Sequence, residues 1–141
     1  MEVQLHPALG IDHGDVRIGI AATDPVGILA HPVETIDSRQ SDPIERIAAI
    51  CEERKIRTLV VGLPLRMDGS EGNAAVKVRA FAGKLQARLP ELPLEFIDES
   101  FSTISAAEKL HEAGRNARKQ KAVIDQAAAV EILERWLAAK G

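Results

Sequence analysis

Hydrophobic positions in this chain fall into short strand-like stretches first and helical repeats later, with turn residues between them. Leu9-Gly10-Ile11 reads as a strand entering a core, Asp12 interrupts it, His13-Gly14-Asp15 reads as a tight turn, and Arg17 to Ala22 reads as the returning strand. Asp24-Pro25-Val26-Gly27 carries the residues a type I turn favours, so a third strand is expected over Ile28 to Ile36, with Pro32 marking it as a sheet edge. Ser41-Asp42-Pro43 offers a cap and a helix-first proline, Glu45 completes a capping-box spacing, and Ile44, Ile47, Ala48 and Cys51 follow at helical intervals. Thr58 to Gly62 is a continuous apolar run, suited to a buried strand parallel to the first. Ala74, Val78, Phe81, Ala82, Leu85 and Leu89 mark a second helix, ended by Pro90 and Pro93, and Leu94 to Asp98 is a short strand. Ser102 or Thr103 caps a small helix that Gly114 stops, Arg115 to Lys121 is a loop or the start of a helix, and Ala122 to Ala139 is a final helix with a wide apolar face.

This order predicts an α/β fold: one domain over residues 1–141, with a mixed five-stranded sheet made of an antiparallel meander plus parallel strands, and helices on both faces. The first strand should be central. A composition of 45% hydrophobic and 28% charged residues suits an ordinary folded domain, no apolar run approaches a membrane span, and no basic-then-apolar leader is present, so a cytoplasmic protein without membrane contact is expected. Cys51 is the single cysteine, which removes internal disulfides and thiolate metal sites from consideration. With a net charge of −3, 3% aromatics and no tyrosine, nucleic-acid binding would need a local basic patch rather than a basic domain or a base-stacking platform.

Three acidic positions change this picture: Asp12 in an apolar strand, the Asp98-Glu99 pair where the last strand ends, and Asp125 in the first turn expected of the final helix. Two carboxylates about 4 Å apart repel by roughly 4 kcal/mol at an effective dielectric of 20, so a convergence of these groups would hold protons or bind cations. Hard oxygen ligands select Mg²⁺ or Mn²⁺, and such ions activate water against a phosphodiester. The segment Arg115 to Lys121 has four basic residues in seven and stands just before Asp125, so it would bring phosphate-binding charge to the acids. Each residue also has a plainer role: Asp125 favours a helix dipole, Asp98 or Glu99 can cap the next helix, and the basic run suits a solvated loop. His6, His13, His31 and His111 have no metal-ligand spacing; His13 is simply nearest to Asp12.

In order along the chain, GIDHGDVRIGIAATDPVGILAHPVETI, VVGLPLRMDGSEG, FIDESFSTISA and VIDQAAAVEIL resemble the YqgF/RuvX family, a bacterial branch of the RNase H-like nucleases. The resemblance implies an RNase H-like fold and a Mg²⁺- or Mn²⁺-dependent nuclease site. Its catalytic carboxylates fall on Asp12, Glu99 and Asp125, with Asp98 an added metal ligand. Nucleic-acid contacts are expected from Arg17, Arg66, Arg115, Arg118, Lys119 and Lys121. The expected substrate is structured RNA, above all the 5′ end of precursor 16S rRNA in ribosome biogenesis, with the ribosome a further partner. A branched DNA junction is the alternative substrate, and the protein is expected to be a monomer or weak homodimer. In one place the chain departs from the pattern: Ser100 stands where the family carries Arg, which removes a bidentate phosphate contact. That departure keeps open a non-catalytic RNA-binding assembly factor. The hairpin around Asp12 also resembles the phosphate cradle of actin-like and sugar kinases, but those pair two such domains.

Overall fold

Residues 5–99 and 117–140 are described by a computed structural model, with side chains of the last helix described from Val123 onward. The strands are β1 (Ala8–His13), β2 (Arg17–Thr23), β3 (Ala30–Asp37), β4 (Thr58–Leu63) and β5 (Leu94–Asp98), and the helices are α1 (Pro43–Arg54), α2 (Asn73–Arg88) and α3 (Ala117–Lys140). They form a five-stranded sheet in the order β3-β2-β1-β4-β5. β1 pairs antiparallel with β2 and parallel with β4; β2–β3 is antiparallel and β4–β5 parallel. The meander, the central first strand and the edge position of β3 therefore match the pattern read from the chain. Pro32 sits where the β2–β3 register shifts, between Ile20 paired with Glu34 and Ala21 paired with Pro32, because a residue without an N–H is tolerated at an edge bulge.

Strand alternation divides the core into two layers. On one face Leu9, Ile11, Ile18, Ile20, Leu59 and Val61 pack with Ile47 and Ile50 of α1 and Val78, Phe81 and Leu85 of α2. On the other, Ala8, Ala21 and Val60 lie beneath Ala129, Ile132, Leu133 and Trp136 of α3. Small residues on this second face let α3 come close. A Cβ on Gly10 would stand 2.6 Å from Leu133 Cγ, one on Gly62 would overlap Ile132 Cδ1, and one on Gly19 would overlap the backbone carbonyl of Asp125. The three glycines, on β1, β4 and β2, form a trough in which the helix is seated.

Three boundaries differ from the sequence reading. The third strand starts at Ala30 rather than Ile28, because the Asp24 carboxylate accepts from the N–H groups of Ile28 (2.9 Å) and Leu29 (3.0 Å) and holds both in the turn. Asp42 caps α1 as expected, accepting from Ile44 N at 3.0 Å, but Glu45 does not reach back to close a capping box; it pairs with Arg88 of α2 at 2.8 Å. Asp42→Ala is expected to cost about 1 kcal/mol in urea denaturation, the ordinary value of a lost N-cap.

The last helix begins at Ala117, not Ala122. Ala-Arg-Lys-Gln-Lys consists of strong helix formers, and apolar periodicity marks only the part of a helix that finds a core. Asp125 is therefore well inside α3 and not in its first turn, so a helix-dipole role does not account for it. Among the described residues no helix is long and apolar enough to cross a membrane. The small helix expected between Ser102 and Gly114 lies outside the described residues.

Candidate active site

Asp12 falls near the end of β1 on the face covered by α3, directly opposite Gly19 in the β1–β2 ladder. Glu99 follows β5 immediately, and its N–H donates to Leu63 O at 3.2 Å, which fixes it beside the end of β4. Alternation along β5 sends Phe96 to the α1/α2 layer and Ile97 to the α3 layer, so Asp98 and Glu99 face opposite ways. Glu99 is thereby buried, only 6% exposed, while Asp98 is exposed. Gly62 makes room for it: a Cβ there would lie 2.7 Å from Glu99 Cδ.

The Asp12 and Glu99 carboxyl groups lie against each other, an arrangement that two ionised carboxylates cannot keep without a proton or a cation between them. Burial pushes the Glu99 carboxyl up to about 9, reinforced by the negative charge of Asp12 and countered by Arg135. Burial also lifts Asp12, to about 6; its bond to Glu99 favours the ionised form and the field of Asp125 opposes it. Glu99 therefore carries the proton at neutral pH. Asp125 approaches from above, its backbone resting on Gly19. Its carboxylate accepts from Arg17 Nε at 3.1 Å.

Two of the three expected carboxylates thus touch, and the third lies alongside, facing a guanidinium. Among the described residues no three His, Cys, Asp or Glu side chains are gathered as a ready cluster for a metal ion. The donor set nevertheless suits a hard divalent cation: a buried and a half-buried carboxylate face each other where such a cation would relieve their repulsion, with Asp125 within the same electrostatic field.

The other expected contacts are more dispersed. Arg17 stands at the site through Asp125. Arg66 opens a hairpin closed by Arg66 N to Ser70 O (2.8 Å) and by Gly69 N to Arg66 O (2.8 Å), with Gly69 at φ +87°, and its guanidinium lies against Gly72 where α2 begins. Arg118, Lys119 and Lys121 fall in the first turns of α3, upstream of Asp125. Arg115 and Ser100 lie outside the described residues.

A cleft of about 400 Å³ opens from the acids toward α2, lined by Asp12, Glu99, His13, Pro64, Leu65 and Lys77. The linear pattern gave no weight to Lys77, since a lysine between the apolar positions of an amphipathic helix reads as solvent-facing. Asp125 did carry a signal: spaced three and four residues before Ala128 and Ala129, it shares the stripe that α3 buries.

Residues 6–139 match the family profile described as RuvX, Holliday junction resolvase. A protein of Nocardioides sp. is 49% identical over 133 residues, covering 92% of this chain and 85% of that protein. A protein of Mycobacteroides abscessus is 45% identical over 131 residues, covering 92% and 79%. Both carry the name "Putative pre-16S rRNA nuclease". The structure of T. thermophilus RuvC with a Holliday junction substrate superposes with a TM-score of 0.55 at 15% identity, covering 95% of this chain and 96% of that one, which shows a shared RNase H-like fold. With the profile spanning almost all of its length and relatives close to half identical, the chain belongs to the RuvX family.

Proposed function

We propose that this RuvX-family protein is a divalent-metal-dependent nuclease that hydrolyses phosphodiester bonds at the 5′ end of precursor 16S rRNA during ribosome biogenesis in the cytoplasm. The observation that carries this reading is the juxtaposition of Asp12 and the buried Glu99 at the strand ends with Asp125 beside them. Such a pair is unfavourable for folding alone and is suited to cation binding. Asp12, Glu99 and Asp125 would hold Mg²⁺ or Mn²⁺; Asp98, exposed and turned to the other face, stands outside the set. Held by these carboxylates, such an ion would contribute Lewis-acid activation of water and charge stabilisation at the leaving oxygen.

The chain's own residues do the remainder. Arg17 neutralises Asp125 and directs it toward the acids, and its guanidinium offers further N–H donors to a phosphate. Arg66, Arg115, Arg118, Lys119 and Lys121 would supply the basic surface that an acidic chain needs to hold a polyanion. The RNA substrate follows the name borne by the relatives; a branched DNA junction follows the family's description and is the second reading. The protein acts on the ribosomal precursor as a monomer or weak homodimer.

Purified protein is expected to shorten a precursor 16S rRNA transcript with Mn²⁺ present, to leave a synthetic four-way junction uncut, and to lose cleavage by at least about a hundredfold in Asp12→Asn. Ser100→Arg should raise the rate by restoring a bidentate phosphate contact. Junction cleavage without RNA cleavage would favour the resolvase, and equal activity in Asp12→Asn would remove the acidic site from the chemistry. RNA binding without cleavage or divalent-ion binding would mark an assembly factor.

A further inference from the structure

The cleft beside the acids is larger than metal binding requires. Its volume of about 400 Å³ is in the roughly 300 to 1,000 Å³ range of small-ligand pockets. Its lining brings the acids together with His13, Pro64, Leu65 and Val78, which are apolar or flat, and with the Lys77–Asp15 pair. The His13 ring is steadied by Phe81, their centroids 4.5 Å apart. Apolar and flat walls beside carboxylates and an ammonium group match a nucleoside with an attached phosphate.

We infer that this cleft is a subsite for the nucleotide next to the scissile bond, and that Lys77 binds a phosphate of that nucleotide. The inference rests on the nuclease reading. Lys77 Nζ lies 3.2 Å from Asp15 Oδ1, and the two side chains are 60% and 73% exposed. An ion pair so exposed is weak and easily exchanged for a phosphate. Asp15, at the tip of the β1–β2 turn, is then a competitor of the phosphate for Lys77, and the pair opens when substrate enters.

The test is equilibrium binding of a short fluorescein-labelled single-stranded RNA in EDTA, where cleavage is silent, with adenosine 5′-monophosphate and adenosine as competitors. Lys77→Gln should raise Kd about tenfold and lower the salt slope by about 0.7, the value of one single-strand phosphate contact. Asp15→Asn should tighten binding, and on the Lys77→Gln background it should change nothing. Ala74→Phe, which places a ring in the cleft and keeps the lysine charge, should abolish competition by the monophosphate. The monophosphate should compete better than adenosine. Equal weakening by Lys77→Gln and Asp15→Asn would mean a structural pair and overturn the inference, as would tightening by Asp15→Asn on both backgrounds or competition that survives Ala74→Phe. A protein that cleaves RNA with unchanged KM and Kd in Lys77→Gln refutes the subsite and leaves the nuclease standing. One that shows the predicted binding pattern yet never cleaves retains the subsite and loses the nuclease.

Discussion

Gly19→Ala should disable the site and destabilise the fold together. The added Cβ meets the backbone carbonyl of Asp125, which cannot swing away as a side-chain tip can, so α3 must lift from the sheet. Overpacking of this kind costs about 1–3 kcal/mol, and the backbone obstacle places this case at the upper end. The lift also draws Asp125 from Arg17 and from the Asp12–Glu99 pair, and a misplacement of about 1 Å at reacting groups costs roughly a hundredfold in rate. Thermal denaturation and cleavage kinetics should show both losses. Gly83, with open space around it, is the control: alanine there should leave both unchanged or raise stability, since it lies inside α2. A Gly19→Ala protein that cleaves at the normal rate would show that α3 does not have to rest on β2 during the reaction.

Glu99→Gln should make the metal-free protein indifferent to pH where the wild type is not. The Glu99 carboxyl sits at about 9 in the folded protein against an ordinary 4.5, and Asp12 at about 6 against 3.8. Both folded values are raised, so between the ordinary and raised values the folded state holds protons that the unfolded state has released. The contribution of this pair to stability is therefore largest in acid and falls as pH rises through the window from about 4 to about 9, by up to about 1.4 kcal/mol per pH unit for each proton. In EDTA, denaturation midpoints of the wild type should fall from pH 5 to pH 9. Those of Glu99→Gln, which keeps a donor to Asp12 but no charge, should hold nearly level over the upper part of that range and exceed the wild type at pH 9. Mn²⁺ should restore the wild type at pH 9 and do little for the variant. A wild-type midpoint independent of pH in EDTA would mean that the two carboxyl groups do not share a proton.

The plan of the molecule was legible because its signals are local. Alternation in β1 and β2, the apolar run of β4 and the repeats in α1 and α2 each follow from burying one side of a periodic element, and the element order then determines which strand is central. Pro32 disclosed the edge for the same reason, since a missing N–H cannot be hidden inside a ladder. Asp12 was conspicuous because a carboxylate between apolar neighbours needs a partner.

What the chain could not disclose depends on distances across the fold. The choice of Glu99 over Asp98 as the buried acid was decided by the pleat of β5 against β4 and by the space left at Gly62. Arg17 and Asp125 are 108 positions apart, and their contact exists only because Gly19 lets α3 sit on β2. Lys77 and Asp15, 62 apart, meet beside a cleft that no single element contains. Periodicity records which face of an element leaves water, and so it determined the layers and the sheet order by itself. Which side chains then face one another is set by backbone approach, turn geometry and the absence of a Cβ at three glycines, and only the tertiary structure decided that.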